Sequence, residues 1–235
     1  MDDGMPYRIE EIEDALSTEA VTARVATDSE VLHSNMPDQW VLIHESHDPR
    51  RRTELALDLW GPAIRQAIPQ YFDNLETRLD DVRLFTLTLD NENISALIYI
   101  CGRTSSNFPI VWIGRIPTTG EQDLPEALEP LRAFFESTHS EFTAEDWMSN
   151  GILPPEQYDE LRFESRIPDD DDVVLDDGRT MNTGDLLVTA KYSGALFLCL
   201  APATGEGILE SEGNFDTAAP YLPHLDRLMI QAWEA

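Results

Sequence analysis

The feature that most restricts the fold is a run of three consecutive strand-like segments in the middle of the chain. Residues 83–89 alternate apolar and polar side chains at the period of a half-buried strand. Residues 94–101 and 109–115 are two further apolar runs, and the polar segment 90–93 is typical of a turn. Strands that follow one another through short turns pair with their neighbours, so this region predicts an antiparallel meander.

Apolar side chains at helical spacing precede this meander. Residues 8–25 predict one helix, and residues 53–79 predict a longer helical stretch with Thr53 as its N-cap. Proline lacks the backbone N–H and clashes with the preceding turn of a helix. Pro62 should therefore restart this stretch, and Pro69 should divide it.

Helices are also predicted at the start of the second half. They cover residues 125–137 and residues 154–162, and the second begins at a pair of prolines. Thr143 opens a capping-box pattern for a further helix that Gly151 ends. Each of these segments is amphipathic or capped, so they are expected to lie against a sheet.

A second meander and a last helix complete the predicted fold. The meander covers residues 186–210, with turns rich in glycine and serine, and Pro220 opens the final helix. The fold class predicted is α+β, with antiparallel meander sheets packed with helices. Residues 1–118 form an N-terminal half and residues 119–235 a C-terminal half, as two regions or as one continuous domain.

Charge is the most unusual property of the composition. The chain has 45 acidic and 16 basic residues, a formal net charge of −29, and Lys191 is its only lysine. Such a field repels phosphates and anionic lipids and attracts cationic proteins. We therefore expect a basic protein partner, no nucleic acid and no membrane. Plain solubility and salt adaptation are alternatives, which an even spread of carboxylates would favour.

The cysteines and the N-terminus indicate the compartment. Cys101 and Cys199 both lie in apolar runs, where free thiols behave as small buried hydrophobes. The chain begins with acidic residues where a signal peptide needs positive ones, and no run approaches 18 apolar residues. A cytoplasmic location is the expectation.

One group of side chains has the composition of a metal or acid–base site. Residues 40–44 predict a short buried strand, and His44, Glu45, His47 and Asp48 follow in what should be a polar loop. We expect a surface loop whose charge is balanced by the arginines at positions 50–52, and no metal.

Motifs of nucleophilic or nucleotide chemistry are missing from the sequence. There is no Gly-x-Ser-x-Gly elbow, no phosphate-binding loop and no dinucleotide fingerprint. We therefore predict no enzyme, no catalytic residues and no cofactor. A hydrolase with a dispersed site of carboxylates, or one built on residues 44–48, stays an alternative.

A run of aspartates is the most specific charge feature. Its members are Asp169, Asp170, Asp171, Asp172, Asp176 and Asp177. Their mutual repulsion has to be offset by salt, by a cation or by a basic partner. The order and closing glutamate of a calcium-binding EF-hand loop are missing. A solvated loop, an acidic contact surface and adventitious calcium binding are the three interpretations.

The second half resembles the SMI1/KNR4 (SUKH) superfamily over roughly residues 120–235. The pieces that carry the resemblance are, in order, Leu124–Leu128, Leu131–Phe135, His139 with Phe142, Gly151–Pro154, Gly194–Leu200 and Tyr221–Leu228. They are similar to the family's Leu-Pro helix, its His-to-Phe element, its central strand and its terminal helix. Ser140 and Glu141 replace the polar residue and glycine that the family has between His and Phe.

The resemblance implies an α+β fold with a curved antiparallel sheet and, in bacteria, an immunity protein that neutralises a secreted toxin. It implies no catalytic residue. An acidic inhibitor can occupy the basic cleft of a nuclease toxin, steered by charge and held by aromatic anchors. Trp147 and Tyr158, near the aspartate run, are the candidate anchors. A regulatory protein-interaction module is a further alternative.

Overall fold

The computed structural model describes residues 7–33, 36–89, 91–102, 109–117, 124–144, 151–192 and 196–231, and residue 233. The helices in these ranges are α1 (Ile9–Leu16), α2 (Asp28–His33), α3 (Asp38–Glu45), α4 (Pro49–Asp58), α5 (Pro62–Ala67), α6 (Pro69–Arg78), α7 (Glu129–Ser137), α8 (Tyr158–Ser165) and α9 (Tyr221–Gln231). Short 3-10 turns precede α7 and α8.

Antiparallel strands form three sheets. The first has the order β1 (Val21–Val25), β2 (Leu79–Leu89), β3 (Glu92–Cys101), β4 (Ile110–Arg115), β5 (Phe142–Ala144) and β6 (Gly151–Ile152). The second has the order β12 (Asn214–Phe215), β11 (Glu206–Ser211), β10 (Leu196–Ala201) and β9 (Leu187–Tyr192), with β13 (Ala219–Pro220) also on β11. The third is a hairpin of β7 (Asp172–Val174) and β8 (Thr180–Asn182). The predicted α+β class and both meanders are confirmed.

Proline divides the N-terminal helices as the sequence predicts. Pro62 is the first residue of α5 and Pro69 the first residue of α6, positions at which the missing N–H costs little. The helix predicted to begin at Thr53 instead begins at Pro49. Asp48 is its N-cap, because its carboxylate accepts a hydrogen bond from the Arg50 N–H at 3.1 Å.

The helix predicted over residues 8–25 is wrong beyond Leu16. Val21–Val25 is a strand that pairs with β2, and Ser17 ends α1 by donating its hydroxyl to the Glu13 carbonyl while accepting the Ala23 N–H. The spacing misled because side chains four residues apart share a face in a strand as well as in a helix. Val21 and Val25 satisfy both periods.

The strand predicted over residues 40–44 is also wrong, because these residues belong to α3. Trp40 and Ile43, three positions apart, are fully buried, whereas Leu42 is half exposed. That is the burial pattern of a helix. A short apolar run does not distinguish a buried strand from one helical turn.

The capping box predicted at Thr143 does not form. Thr143 and Ala144 lie in β5, and Gly151 lies in β6, where an added Cβ would be 2.1 Å from the Phe142 carbonyl oxygen. Pairing with β4 buries all three residues of β5. The body of the predicted helix, residues 145–150, lies outside the described residues.

A buried ion pair attaches α4 to the first sheet. The Arg52 guanidinium donates to both oxygens of Asp81 at 2.7 Å, and Arg52 and Asp81 are 1 % and 0 % exposed. Arg50 and Arg51 lie on the exposed face of the helix beside Glu54. The predicted surface role therefore holds for two of the three arginines, and the third fixes the helix to β2.

The main hydrophobic core runs through both halves of the chain. It contains residues from Ala26 to Trp233 and lies between one face of the first sheet, the helices α3–α7, the second sheet and α9. The buried Asp226 of α9 accepts the Tyr71 N–H at 2.8 Å and so caps α6. Strands β5 and β6, although later than residue 118, extend the first sheet. The boundary at residue 118 stays a prediction.

His139 lies at the centre of the aromatic part of this core. Its Nδ1 is 3.2 Å from the Arg115 carbonyl oxygen and its Nε2 is 2.9 Å from the Tyr99 hydroxyl. A carbonyl only accepts, so Nδ1 carries the proton and Nε2 accepts from the tyrosine. Burial lowers the pKa of His139 to about 3. The ring fits because residue 114 is glycine: an added Cβ would be 2.4 Å from the imidazole.

Gly114→Ala should destabilise the fold by roughly 2 kcal/mol or more, because β4 and the buried imidazole cannot separate without repacking the core. Gly61→Ala is the control, since nothing lies within 4 Å of a Cβ there and its φ of −64° suits any residue. Urea unfolding measures both variants. Equal losses in the two would contradict the steric argument.

His139 should make the fold less stable as the pH falls below about 6.5. The unfolded chain protonates this side chain near its ordinary pKa of 6.5, whereas the folded chain holds it neutral down to about 3. The stabilisation is complete above pH 6.5 and declines by about 1.4 kcal/mol per pH unit below it. Urea unfolding between pH 7 and 5 measures the slope, which His139→Gln should reduce by one proton. An unchanged slope in the variant would refute this origin.

Candidate functional site

The aspartate run lies on the β7–β8 hairpin and the bend that leads into it, residues 169–182, which we name the acidic hairpin. Val173 pairs with Met181, and Gly178 makes the turn with a φ of +83°. Leu175 is 2 % exposed and bridges to Phe215, which fixes the hairpin to the second sheet. Because side chains alternate along a strand, Asp172, Val174 and Asp176 point away from this buried side.

Acidic side chains are densest at this hairpin and the helix before it. The exposed carboxylates also occur on other elements, such as α1 and α7, so net charge alone selects no surface. Residues 156–177, however, contain ten acidic and two basic side chains. The acidic ones are Glu156, Asp159, Glu160, Glu164, Asp169, Asp170, Asp171, Asp172, Asp176 and Asp177.

Only part of this charge is neutralised within the protein. Arg179 pairs with Asp177 at 2.8 Å and with Glu206 at 3.0 Å, and the Asp177 pKa is lowered, first by the hydrogen bond from the Arg179 N–H. Arg162 reaches Asp169 at 3.8 Å. The other carboxylates of the acidic hairpin form no ion pair in the described part of the chain, although Asp172 accepts a long hydrogen bond from an asparagine amide. Those carboxylates are exposed.

Two large apolar side chains are exposed on the same part of the molecule. Phe163 on α8 is 86 % exposed, and Val174 at the hairpin is 67 % exposed. Water solvates an exposed phenylalanine ring poorly, whereas contact with a partner protein would bury the ring. This combination of charge and apolar surface is typical of a protein-interaction site.

A groove runs beside the end of α8. The helix ends at Ser165, and Arg166 reverses the chain in the left-handed region with a φ of +58°. Two adjoining cavities, of about 620 and 470 Å³, share Arg166, Ile167 and Pro168 as walls. The smaller one extends over the second sheet to Glu210 and Phe215. The groove therefore lies between the helix that carries Phe163 and the strands that hold the acidic hairpin.

The structure describes one of the two predicted aromatic anchors, and that residue is buried. Tyr158 is 7 % exposed and lies in the main core, where burial raises the pKa of its hydroxyl well above the usual value. Its ring therefore packs inside the fold, and its role as an anchor stays a prediction. Trp147 lies outside the described residues. All six predicted aspartates, by contrast, belong to the acidic hairpin.

The group at residues 44–48 is spread over three elements. His44 and Glu45 end α3, His47 lies between helices, and Asp48 caps α4. His44 Nε2 is 2.9 Å from Asp28 Oδ1, and a cavity of about 360 Å³ opens beside this pair. Within the described ranges, no set of three His, Cys, Asp or Glu side chains is arranged to hold a metal ion.

Both cysteines are buried free thiols, as predicted. Burial raises the pKa of the Cys199 thiol to about 12 and that of Cys101 well above its usual value. Neither sulfur forms a thiolate at neutral pH, so neither is a ready nucleophile.

Comparison of the chain with protein-family models, with curated proteins and with solved structures found no match. No helix within the described ranges combines the length and the apolar character needed to cross a lipid bilayer. The membership of the SMI1/KNR4 superfamily stays a prediction from the residues that suggested it.

Sequence reasoning did not single out Phe163, Val174 or Glu210. Phe163 occupies a position that the helical pattern of α8 leaves on the outside, between buried Leu161 and the helix end. The helical spacing could therefore have predicted that Phe163 is exposed. No feature of the sequence indicated Glu210 as a functional residue, because an acidic residue at the end of a strand is usually solvated.

Tyr158→Ala and Phe163→Ala should differ in their effect on stability. Loss of the buried tyrosine ring should cost about 3 kcal/mol, whereas loss of the exposed phenylalanine should change the free energy of unfolding by less than about 0.5 kcal/mol. Thermal and urea unfolding measure both. A comparable loss at Phe163 would mean that this ring is packed in solution and is not free for a partner.

Proposed function

We propose that this protein is an immunity protein that acts in the cytoplasm, where it binds and neutralises a cognate secreted bacterial toxin with a basic cleft. The observation that carries the proposal is the acidic hairpin with its unpaired exposed aspartates beside the exposed Phe163 and Val174. The family resemblance of residues 120–235 supports the same function independently.

The charges account for speed and orientation of binding. Clustered carboxylates attract a basic surface and raise the association rate, and their effect extends roughly 8 Å at physiological salt. The hairpin is held to the sheet by Leu175 and by the hydrogen bond from the Asp176 N–H to the Phe215 carbonyl at 3.1 Å. A fixed hairpin presents its charges without the ordering cost of a flexible loop.

The apolar side chains account for the lifetime of the complex. Exposed ion pairs contribute little each, whereas a phenylalanine transferred from water into a partner's pocket contributes about 1.5–3 kcal/mol. Phe163 is the side chain of this surface best placed to make that contact.

A hydrolase is the second candidate, favoured by the His44–Asp28 pair and its cavity. Stoichiometry separates the two functions. An inhibitor neutralises one toxin molecule per chain and does not need His44, whereas a hydrolase turns over many substrate molecules and should lose that turnover with His44→Gln.

The direct test uses the gene next to the one that encodes this chain. Its product should arrest growth when expressed alone, and co-expression of this chain should restore growth at a one-to-one ratio. A neighbour that is not toxic, or a toxicity that this chain does not relieve, would contradict the proposal.

Neutralisation of the acidic hairpin should slow association with that toxin. In the quadruple variant Asp169→Asn, Asp170→Asn, Asp171→Asn and Asp176→Asn, the association rate at low salt should fall roughly tenfold or more. Stopped-flow or surface-binding kinetics measure it between 20 and 500 mM salt, and the parent's rate should decrease as salt increases.

The matched control removes four exposed carboxylates elsewhere, by Asp14→Asn, Glu19→Gln, Glu92→Gln and Glu136→Gln. It changes the net charge equally, so any larger effect of the hairpin variant reports position. We expect less than about a threefold change in the control. Equal slowing in both variants would show that net charge, and not this surface, steers the partner.

A further inference from the structure

The smaller cavity at the end of α8 contains a buried carboxylate that the fold does not fully use. Glu210 is 3 % exposed and lines this cavity from β11. Its Oε1 accepts the Gly213 N–H at 2.7 Å, and its Oε2 has no hydrogen-bond partner in the described part of the chain. This second oxygen is not among the buried unsatisfied atoms and is open to the cavity, so a cationic group that entered could pair with it.

The walls around this carboxylate are apolar and aromatic. Phe197 and Phe215 both stand opposite Glu210 in the strand register, and Ile167 closes the side towards α8. Each of these three side chains is at most 5 % exposed. The cavity, of about 470 Å³, lies in the range of small-molecule sites and accommodates a long side chain.

The charges at the rim differ from the charge inside. Arg166 and Glu212 both line the cavity and are exposed, and Glu164 is paired with Lys191 at 2.8 Å. The rim charges are solvated and screened and have opposite signs, so they largely cancel. Burial raises the pKa of Glu210, and the hydrogen bond from the Gly213 N–H opposes that effect by favouring the ionised form. As a carboxylate, Glu210 sets the sign of the site, which is negative.

We propose that this groove receives an arginine side chain of the protein partner, with Glu210 as its carboxylate acceptor. A guanidinium is planar, donates in a fork to a carboxylate and stacks on aromatic rings more readily than a lysine ammonium does. The arginine would be the anchor residue of the toxin, so its biological role rests on the proposed function.

The groove is continuous with the surface of the proposed complex. Ile167 and Pro168 lead directly into Asp169, and Phe215 is bridged to Leu175 inside the acidic hairpin. A partner arginine in the groove would therefore place neighbouring basic residues over the aspartates. The aspartates would guide the approach, and the groove would fix the register.

The test uses the full chain and a capped arginine, Nα-acetyl-arginine amide, with the capped citrulline amide as a neutral analogue of the same shape. Titration followed by amide NMR should shift the Gly213 and Phe215 resonances saturably with arginine at millimolar concentration, and should not do so with citrulline. Capped lysine should bind more weakly. Equal or tighter binding of lysine, or saturable binding of citrulline, would overturn the assignment to a guanidinium.

Glu210→Gln and Glu212→Gln are the matched variants, because both remove one carboxylate from the same strand region. The glutamine at position 210 can still accept the Gly213 N–H, and a thermal melt checks that each variant is folded. Arginine binding should weaken at least about tenfold in Glu210→Gln and less than about threefold in Glu212→Gln. Equal weakening in both, or none at position 210, would overturn the inference.

The outcome is separable from that of the proposed function. If the neighbouring toxin is neutralised but the capped arginine does not bind at Glu210, only the groove inference fails. If arginine binds in the groove but no toxin is neutralised, the site stands and the proposed function fails.

Discussion

The packing around the neutral ring of His139 is the constraint on which most of the fold depends. Its two nitrogens bond to Tyr99 and to the end of β4, and its ring contacts Trp40 of α3, Trp60 between α4 and α5, Phe134 of α7 and Phe142 of β5. A charged imidazole would have to lose its hydration there, which explains why its pKa is depressed. One polar side chain thereby fixes how the first sheet and the helices over it meet.

The cost of removing a charge from water also explains how the buried charged side chains are paired. Arg52 and Asp81 are both buried and are joined by two short hydrogen bonds, and Asp81 also pairs with Arg83 at 2.6 Å. Removal of Asp81 would therefore leave the buried Arg52 without its carboxylate partner. Asp226 is buried as the cap of α6. Glu210 differs from Asp81 and Asp226, because in the described residues one of its oxygens is bonded to the protein and the side chain lines a cavity. That contrast distinguishes a structural carboxylate from a candidate binding group.

The sequence predicts the sheets better than the N-terminal helices, for a physical reason. Strands β2, β3 and β4 are consecutive apolar runs that pair with their neighbours, whereas Val21 and Val25 fit a helix and a strand equally well. Trp40 and Ile43 form too short a run to show a period. Contacts with segments distant in the sequence determine the structure of residues 21–25 and 40–44. A local pattern contains no information about those contacts.

The candidate site, too, could be predicted from the sequence only where the signal is local. The aspartate run was visible in the sequence because its composition is extreme, and alternation along β7 is enough to turn Asp172 and Val174 outwards. Tyr158 could not be recognised as a core residue from its neighbourhood in the sequence, since its burial depends on the second sheet and α9. The groove shows this even more clearly. Ile167 and Glu210 are 43 positions apart, and only the packing of α8 against β9 of the second sheet makes them two walls of one cavity.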